Sequence, residues 1–322
     1  MFRILLVLTL AACAPATPSA PPSATPETLR EIRLPMGYIP SVQYANFYVA
    51  DARGYFEQEG LRVTFDYAFE TNGVQLVGAG ELPFAVVSAE QVLLARAQGL
   101  PVVYVMAWFQ EFPVAVVSPV EAGIMAPEDL RGKRIGVPTL DGANFVGLQA
   151  LLTAAGVRTD EVTISAIGFN QVEALSAGQV DAVVVYSNNE PIRLVALGQR
   201  LNVIEVSDHV QLSANGIITN EDMIANDPDL IRAFVRALTR GTQDVLTDPD
   251  AAYTIARQTV PSLTDDTLER QVLAATVSKW QAPTLGWSDP SGWEAMQATL
   301  LHAGLLRAPL ELDQAFSNDF LP

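Results

Sequence analysis

Short apolar runs alternate along the chain with stretches whose apolar positions recur at helical spacing. Runs over 32–36, 61–67, 84–87, 102–108 and 114–118 read as strands. Between them the spacing predicts a helix over 44–58, closed by Gly60, a short helix over 73–78 and another over 90–98. A second set opens near Ala126 with a helical turn at Pro127-Glu128-Asp129-Leu130. It continues with strands over 134–137, 162–167 and 182–186 and helices over 144–155 and 172–177, then strands over 203–206 and 216–219. From Pro228 onward the pattern is almost wholly helical, with Asp227-Pro228 and Asp248-Pro249 placing proline where a helix start tolerates it. Regular return of strand after helix predicts an α/β protein with mostly parallel sheets. Two such units and a helical tail predict two lobes around a cleft, with ligand groups on the loops beyond the carboxyl ends of the strands.

Composition narrows the function classes. Of 322 residues, 49 % are apolar, enough for a core and too many for a disordered chain. Lys and Arg number 19 against 36 Asp and Glu, a formal charge of −17, so the basic face needed to hold nucleic acid is missing. A single cysteine excludes an internal disulfide and a Cys-based zinc site, and two histidines far apart, His209 and His302, give no basis for a metal centre. No metal or cofactor is expected.

The first residues refine this picture. Met-Phe-Arg precedes an uncharged run, Ile4 to Ala12, too short to span a bilayer but of signal-peptide form. It ends in Leu10-Ala11-Ala12-Cys13, which resembles a bacterial lipobox and makes Cys13 the expected lipidation site. The Pro-rich stretch that follows reads as an extended tether. The expected organisation is a signal peptide over 1–12, lipidated Cys and tether over 13–31, and a first lobe over 32–116. A second lobe over 117–213 and a return to the first lobe with C-terminal helices over 214–322 complete it. The folded body is then expected on the outer face of the cytoplasmic membrane.

The loops after the strands share one chemistry. The first carries Tyr38, Gln43, Tyr44 and Asn46; the next two bring Ser88, at a helix start, and Trp108 with Gln110. In the second unit the matching loops bring Asn144 and Phe145, then Tyr186 and Asn188, and later Asn215. Aromatic faces and amides predominate, and these loop segments hold no Lys or Arg. That favours a neutral, planar, hydrogen-bonding ligand over an anionic one. Asp141 and Glu190 read as caps or solvated charges. No nucleophile elbow, phosphate loop or dinucleotide fingerprint is present, so no catalytic residue is assigned and an enzyme is not expected.

Several stretches carry a family resemblance. Leu34-Pro35-Met36-Gly37-Tyr38-Ile39-Pro40, Phe47-Tyr48-Val49-Ala50 and Gly54-Tyr55-Phe56-Glu57-Gln58-Glu59-Gly60-Leu61 form one block. Asp129 to Val137 and Glu173 to Ala182 form two more. Together they resemble the solute-binding lipoproteins of bacterial ABC importers, in the branch that includes thiamine-pyrimidine, alkanesulfonate and nitrate binders. The resemblance implies a type II periplasmic binding protein fold: two α/β lobes, a central cleft, and hinge strands near Pro113–Ser118 and Ala214–Thr219. Where the pyrimidine binders carry Trp before the proline and Asn-x-x-His after it, this chain has Tyr38, Ser41 and Tyr44. The Gly37–Ala45 run looks most like the riboflavin-binding lipoproteins. The resemblance implies riboflavin as transported ligand, a thiamine pyrimidine precursor or related heterocycle being the alternative. It also implies an ABC permease as membrane partner and a monomeric carrier.

Overall fold

The computed structural model describes residues 29–322. The expected signal segment, Cys13 and most of the tether lie outside the described residues. In chain order the strands are β1 (Arg30–Pro35), β2 (Leu61–Asp66), β3 (Ala85–Val87), β4 (Val102–Ala107) and β5 (Val114–Pro119), then β6 (Arg134–Val137), β7 (Thr163–Ala166), β8 (Ala182–Tyr186), β9 (Leu201–Glu205) and β10 (Gly216–Asn220). They divide between two lobes. In the first, β1 and β2 pair in parallel, with Ile32 opposite Val63, beside a sheet of order β3-β10-β4. In the second, five strands run in the order β7-β6-β8-β5-β9.

Each lobe contains one strand that runs against its neighbours. β5 is antiparallel to β8 and β9, and β10 is antiparallel to β3 and β4. These are the strands that follow a crossing: the chain leaves lobe 1 after β4 and enters lobe 2 as β5, then leaves after β9 and returns as β10. The sheets are therefore mixed and not mostly parallel as the sequence pattern predicts. A buried apolar run such as Val114-Ala115-Val116-Val117 specifies burial on both faces but no direction. Its side chains alternate, Val114 and Val116 joining the main core while Ala115 and Val117 join a smaller one with Leu175, Val183, Val185 and Leu194. The expected lobe boundary at 116/117 falls inside β5, whose residues pair within lobe 2, and that at 213/214 falls in the second crossing.

Helices depart from expectation in four places, one being a short helix, Glu221–Asn226, where the pattern assigns no element. The helix over 44–58 is a 3-10 turn, Val42–Tyr44, followed by Ala45–Ala52 and Tyr55–Gln58, interrupted where Gly54 takes a left-handed φ of 68°. A Gly placed to end one helix keeps the apolar spacing of the next, so periodicity alone runs through it. Helix Glu190–Ala196 was not anticipated, because its polar entry reads as loop. The last twenty residues hold only a 3-10 turn, Leu312–Gln314, and a bridge from Phe316 to Tyr104. The Asp-Pro starts behave as expected: Asp227 accepts from Leu230 N–H at 3.3 Å and Asp248 from Ala251 N–H at 3.0 Å.

The long helix Pro228–Thr247 crosses Ala45–Ala52 at Gly241, where an added Cβ would lie 2.4 Å from the Asn46 carbonyl oxygen and 2.8 Å from Ala50 Cβ. Asn46 is fixed in this crossing, donating to Thr242 Oγ1 at 3.1 Å. On an open helix Gly→Ala stabilises by about 1 kcal/mol. Here Gly241→Ala is expected to destabilise by about 1–3 kcal/mol through overpacking, read as a lower denaturation midpoint at unchanged slope.

Candidate functional site

The lobes enclose a cleft of about 350 Å³, within the range of small-molecule sites. Its walls come from the loops beyond the carboxyl ends of strands, as the topology requires. Lobe 1 contributes Tyr38, Gln43 and Tyr44 after β1, Phe69, Glu70 and Thr71 after β2, Gln91 after β3 and Trp108 after β4. Lobe 2 contributes the 138–144 loop after β6, Phe169 and Gln171 after β7, and Tyr186 with Glu190 around the end of β8; Asn215 enters from the second crossing.

Seven residues singled out in the sequence line this cleft: Tyr38, Gln43, Tyr44, Trp108, Asn144, Tyr186 and Asn215. Five do not. Asn46 points into the helix crossing described above. Ser88 lies behind the wall, donating its backbone N–H to Glu70 at 3.0 Å. Gln110 faces the turn at Gly286 and Trp287. Phe145 is half-buried on the helix Gly142–Ala154, one position past the lining residue Asn144. Asn188 is buried behind Gln43, donating to its Oε1 at 2.8 Å and to Thr276 Oγ1 at 2.7 Å, so it joins lobe 2 to lobe 1 without facing the cleft. His209 and His302 are exposed and away from the cleft.

The aromatic groups fall into two sets. Tyr44 and Trp108 already stack on each other, 4.9 Å apart and 14° from parallel, and Tyr44 donates its hydroxyl to the Met36 carbonyl at 2.6 Å. The indole N–H of Trp108 is buried without a partner. At the mouth, Phe69 from lobe 1 is 58 % exposed and Phe169 from lobe 2 is 43 % exposed. Their rings are 6.1 Å apart and 18° from parallel, and Tyr38 meets Phe169 edge-on at 5.1 Å. The free ring faces are at the mouth, on Phe69 and Phe169, whereas the sequence reading spread the aromatic contacts over Tyr38, Tyr44, Trp108 and Tyr186 and left the stacking partner open. Phe69 was legible had the loop after β2 been read by the same rule as the others.

A hydrogen-bonded chain forms the polar floor. Tyr186 donates to Asn215 Oδ1 at 2.9 Å, and Asn215 Nδ2 donates to Glu70 Oε1 at 3.2 Å. The Asn215 carbonyl oxygen accepts from both Trp108 N–H, at 2.9 Å, and Phe109 N–H, at 3.1 Å, so the two crossings are stitched together at this residue. Glu190 accepts from the Tyr186 N–H at 3.0 Å and from Asn189 at 3.1 Å. Burial pushes the Glu70 and Glu190 carboxyls up to about 7 and Glu90 up to about 8, the last also through the charge of Glu70. These carboxylates are buried; of the two sequence readings of Glu190, a cap or a solvated charge, burial rules out the second. No Lys or Arg lines the cleft.

Fold and cleft define the class, a type II periplasmic-binding-protein fold of the kind used by ABC-importer solute-binding proteins. The alkanesulfonate-binding protein SsuA from Xanthomonas axonopodis pv. citri superposes with a TM-score of 0.69 at 17 % identity, over 92 % of this chain and 99 % of that one. A model of the NMT1/THI5-like family matches residues 41–252, and the chain belongs to that family. It is 40 % identical to the riboflavin-binding protein RibY of Chloroflexus aurantiacus, over 99 % of this chain and 96 % of the relative. It is 28 % identical to the formylaminopyrimidine-binding protein of Halalkalibacterium halodurans, over 98 % and 96 % respectively.

Proposed function

We propose that this protein is the riboflavin-binding subunit of an ABC importer, carrying its ligand outside the cytoplasmic membrane to a permease and leaving it chemically unchanged. The observation that carries the reading is the cleft lining: open aromatic faces at the mouth, amides and carboxylates on the floor, and no Lys or Arg. A neutral tricyclic ring finds stacking partners there, and ribityl hydroxyls find amides and carboxylates. Full-length similarity to a riboflavin-binding protein supports the same ligand. Similarity to a formylaminopyrimidine-binding protein supports the alternative, an aminopyrimidine in the same cleft. The cleft lining offers neither a histidine nor a cysteine as nucleophile or base, which supports a carrier over an enzyme. On this reading Cys13 is the lipid attachment point, its acyl chains holding a monomeric carrier at the membrane.

Titration of purified protein with riboflavin is expected to quench flavin fluorescence saturably at one site per chain, as the ring enters a cleft of aromatic side chains. An aminopyrimidine added first should not block it. Absence of quenching together with tight aminopyrimidine binding would assign the cleft to the alternative ligand.

A further inference from the structure

Two buried carboxyls, Glu70 and Glu90, stand on either side of Ser88. The Ser88 hydroxyl oxygen is 2.5 Å from Glu70 Oε2 and also within hydrogen-bond distance of Glu90 Oε1. A serine hydroxyl has one proton to donate, so it serves one carboxylate and must accept from the other group. One of the two acids is therefore protonated. The donors present decide which. Glu70 receives the Ser88 N–H at 3.0 Å and the Asn215 amide at 3.2 Å besides the hydroxyl. Glu90 has beyond Ser88 a long contact from the Gln91 amide at 3.5 Å and its own backbone N–H, and its Oε2 is buried with no partner. Three donors favour the anion at Glu70; their scarcity leaves the proton on Glu90, which passes it toward Ser88 Oγ. Only Glu70 of the two lines the cleft.

We propose that Glu70 is the anionic anchor of the cleft, accepting a hydrogen bond from an N–H or O–H donor of the ligand, and that Glu90 keeps it ionised by holding the one proton the pair shares through Ser88. The proposal rests on the carrier reading above and deepens it to a selectivity rule. A neutral heterocycle with ring N–H or hydroxyl donors is accepted. Its phosphorylated form is repelled by Glu70 and by Asp141 across the cleft, with no cation in the lining to compensate. The other titratable groups facing the pair are Tyr44, Tyr186 and, further along the floor, Glu190; burial holds both phenols neutral.

The pH dependence follows in sign. Burial raises the Glu70 carboxyl, so acidification through about pH 7 adds a second proton to the pair, neutralises the anchor and weakens binding. The test is riboflavin and riboflavin 5′-phosphate affinity for wild type, Glu70→Gln and Glu90→Gln between pH 6 and 8.5, with protein infrared spectra. Glu70→Gln is expected to lose riboflavin affinity by about tenfold to a hundredfold at high pH, the worth of a charged hydrogen bond. It should also lose the acid fall-off and discriminate less against the 5′-phosphate. Glu90→Gln, whose amide can donate to Ser88 in place of the acid proton, is expected to keep wild-type affinity and fall-off while losing a protonated-carboxyl stretch that wild type shows near pH 8, above the range in which Glu70 and Glu190 take up protons. Equal affinity in Glu70→Gln, or a wild-type affinity flat across this range, overturns the anchor while leaving the carrier reading intact. An unchanged carboxyl band in Glu90→Gln overturns the shared proton without needing a ligand. Wild-type protein that binds no riboflavin overturns riboflavin as the ligand and the anchor with it.

Discussion

Alanine at position 169 is expected to weaken riboflavin binding by about thirtyfold or more, the loss of an interface residue worth about 2 kcal/mol, with little change in thermal stability. Phe169 is 43 % exposed, so its truncation leaves only a shallow void in the fold. Its ring faces Phe69 of the other lobe at 6.1 Å. A flat ligand between two rings needs two van der Waals separations, about 7 Å, so a small parting of the lobes admits one. Phe69→Ala should behave alike. Phe169→Tyr, which keeps the ring face, should restore most of the affinity. Isothermal titration of the three variants checks this. Wild-type affinity in both alanine variants would move the stacking site to Tyr38 or Tyr186.

The second large effect concerns stability. Trp293→Ala is expected to lower the unfolding free energy by about 3–5 kcal/mol. The indole is fully buried on helix Pro290–His302, stacked on Phe316 at 5.1 Å and edge-on to Tyr104 at 5.1 Å. Its N–H donates to Ser288 Oγ at 2.8 Å, so truncation removes a hydrogen bond as well as a ring. Trp293→Phe should recover the packing and leave the Ser288 hydroxyl without its donor, costing about 1–3 kcal/mol. Denaturant unfolding of both variants checks the order, and a loss below 1 kcal/mol for alanine would contradict this packing.

The strands were legible because burial in a two-layered lobe writes itself as apolar runs, and all ten fall within two residues of expectation at most ends. Strand direction left no mark: β5 and β10 look like any other run, and only the two-lobed topology reverses them. Half of the site was legible for a similar reason. Tyr38 and Tyr44 lie in the connection after β1 and Tyr186 ends β8, and the resemblance of the opening block pointed to the same cleft. Asn46 and Asn188 misled because a buried amide serves equally well to bond a helix crossing or to join two lobes. Glu70 escaped because a carboxylate in the first turn of a helix usually complements the helix dipole in water. Its burial depends on Ser88 and Asn215, 18 and 145 residues away.

Asn215 has one further consequence. Its carbonyl oxygen receives N–H groups from the first crossing while it belongs to the second. Two independent connections would let the lobes slide as well as swing. With the connections joined at a shared acceptor, sliding must break a pair of backbone hydrogen bonds, whereas a swing can keep them. Swinging is then the softer of the two motions. On the carrier reading, a ligand that touches Phe69 and Phe169 at the rim is registered as a change of swing angle, and a permease gripping both lobes would have that one angle to sense.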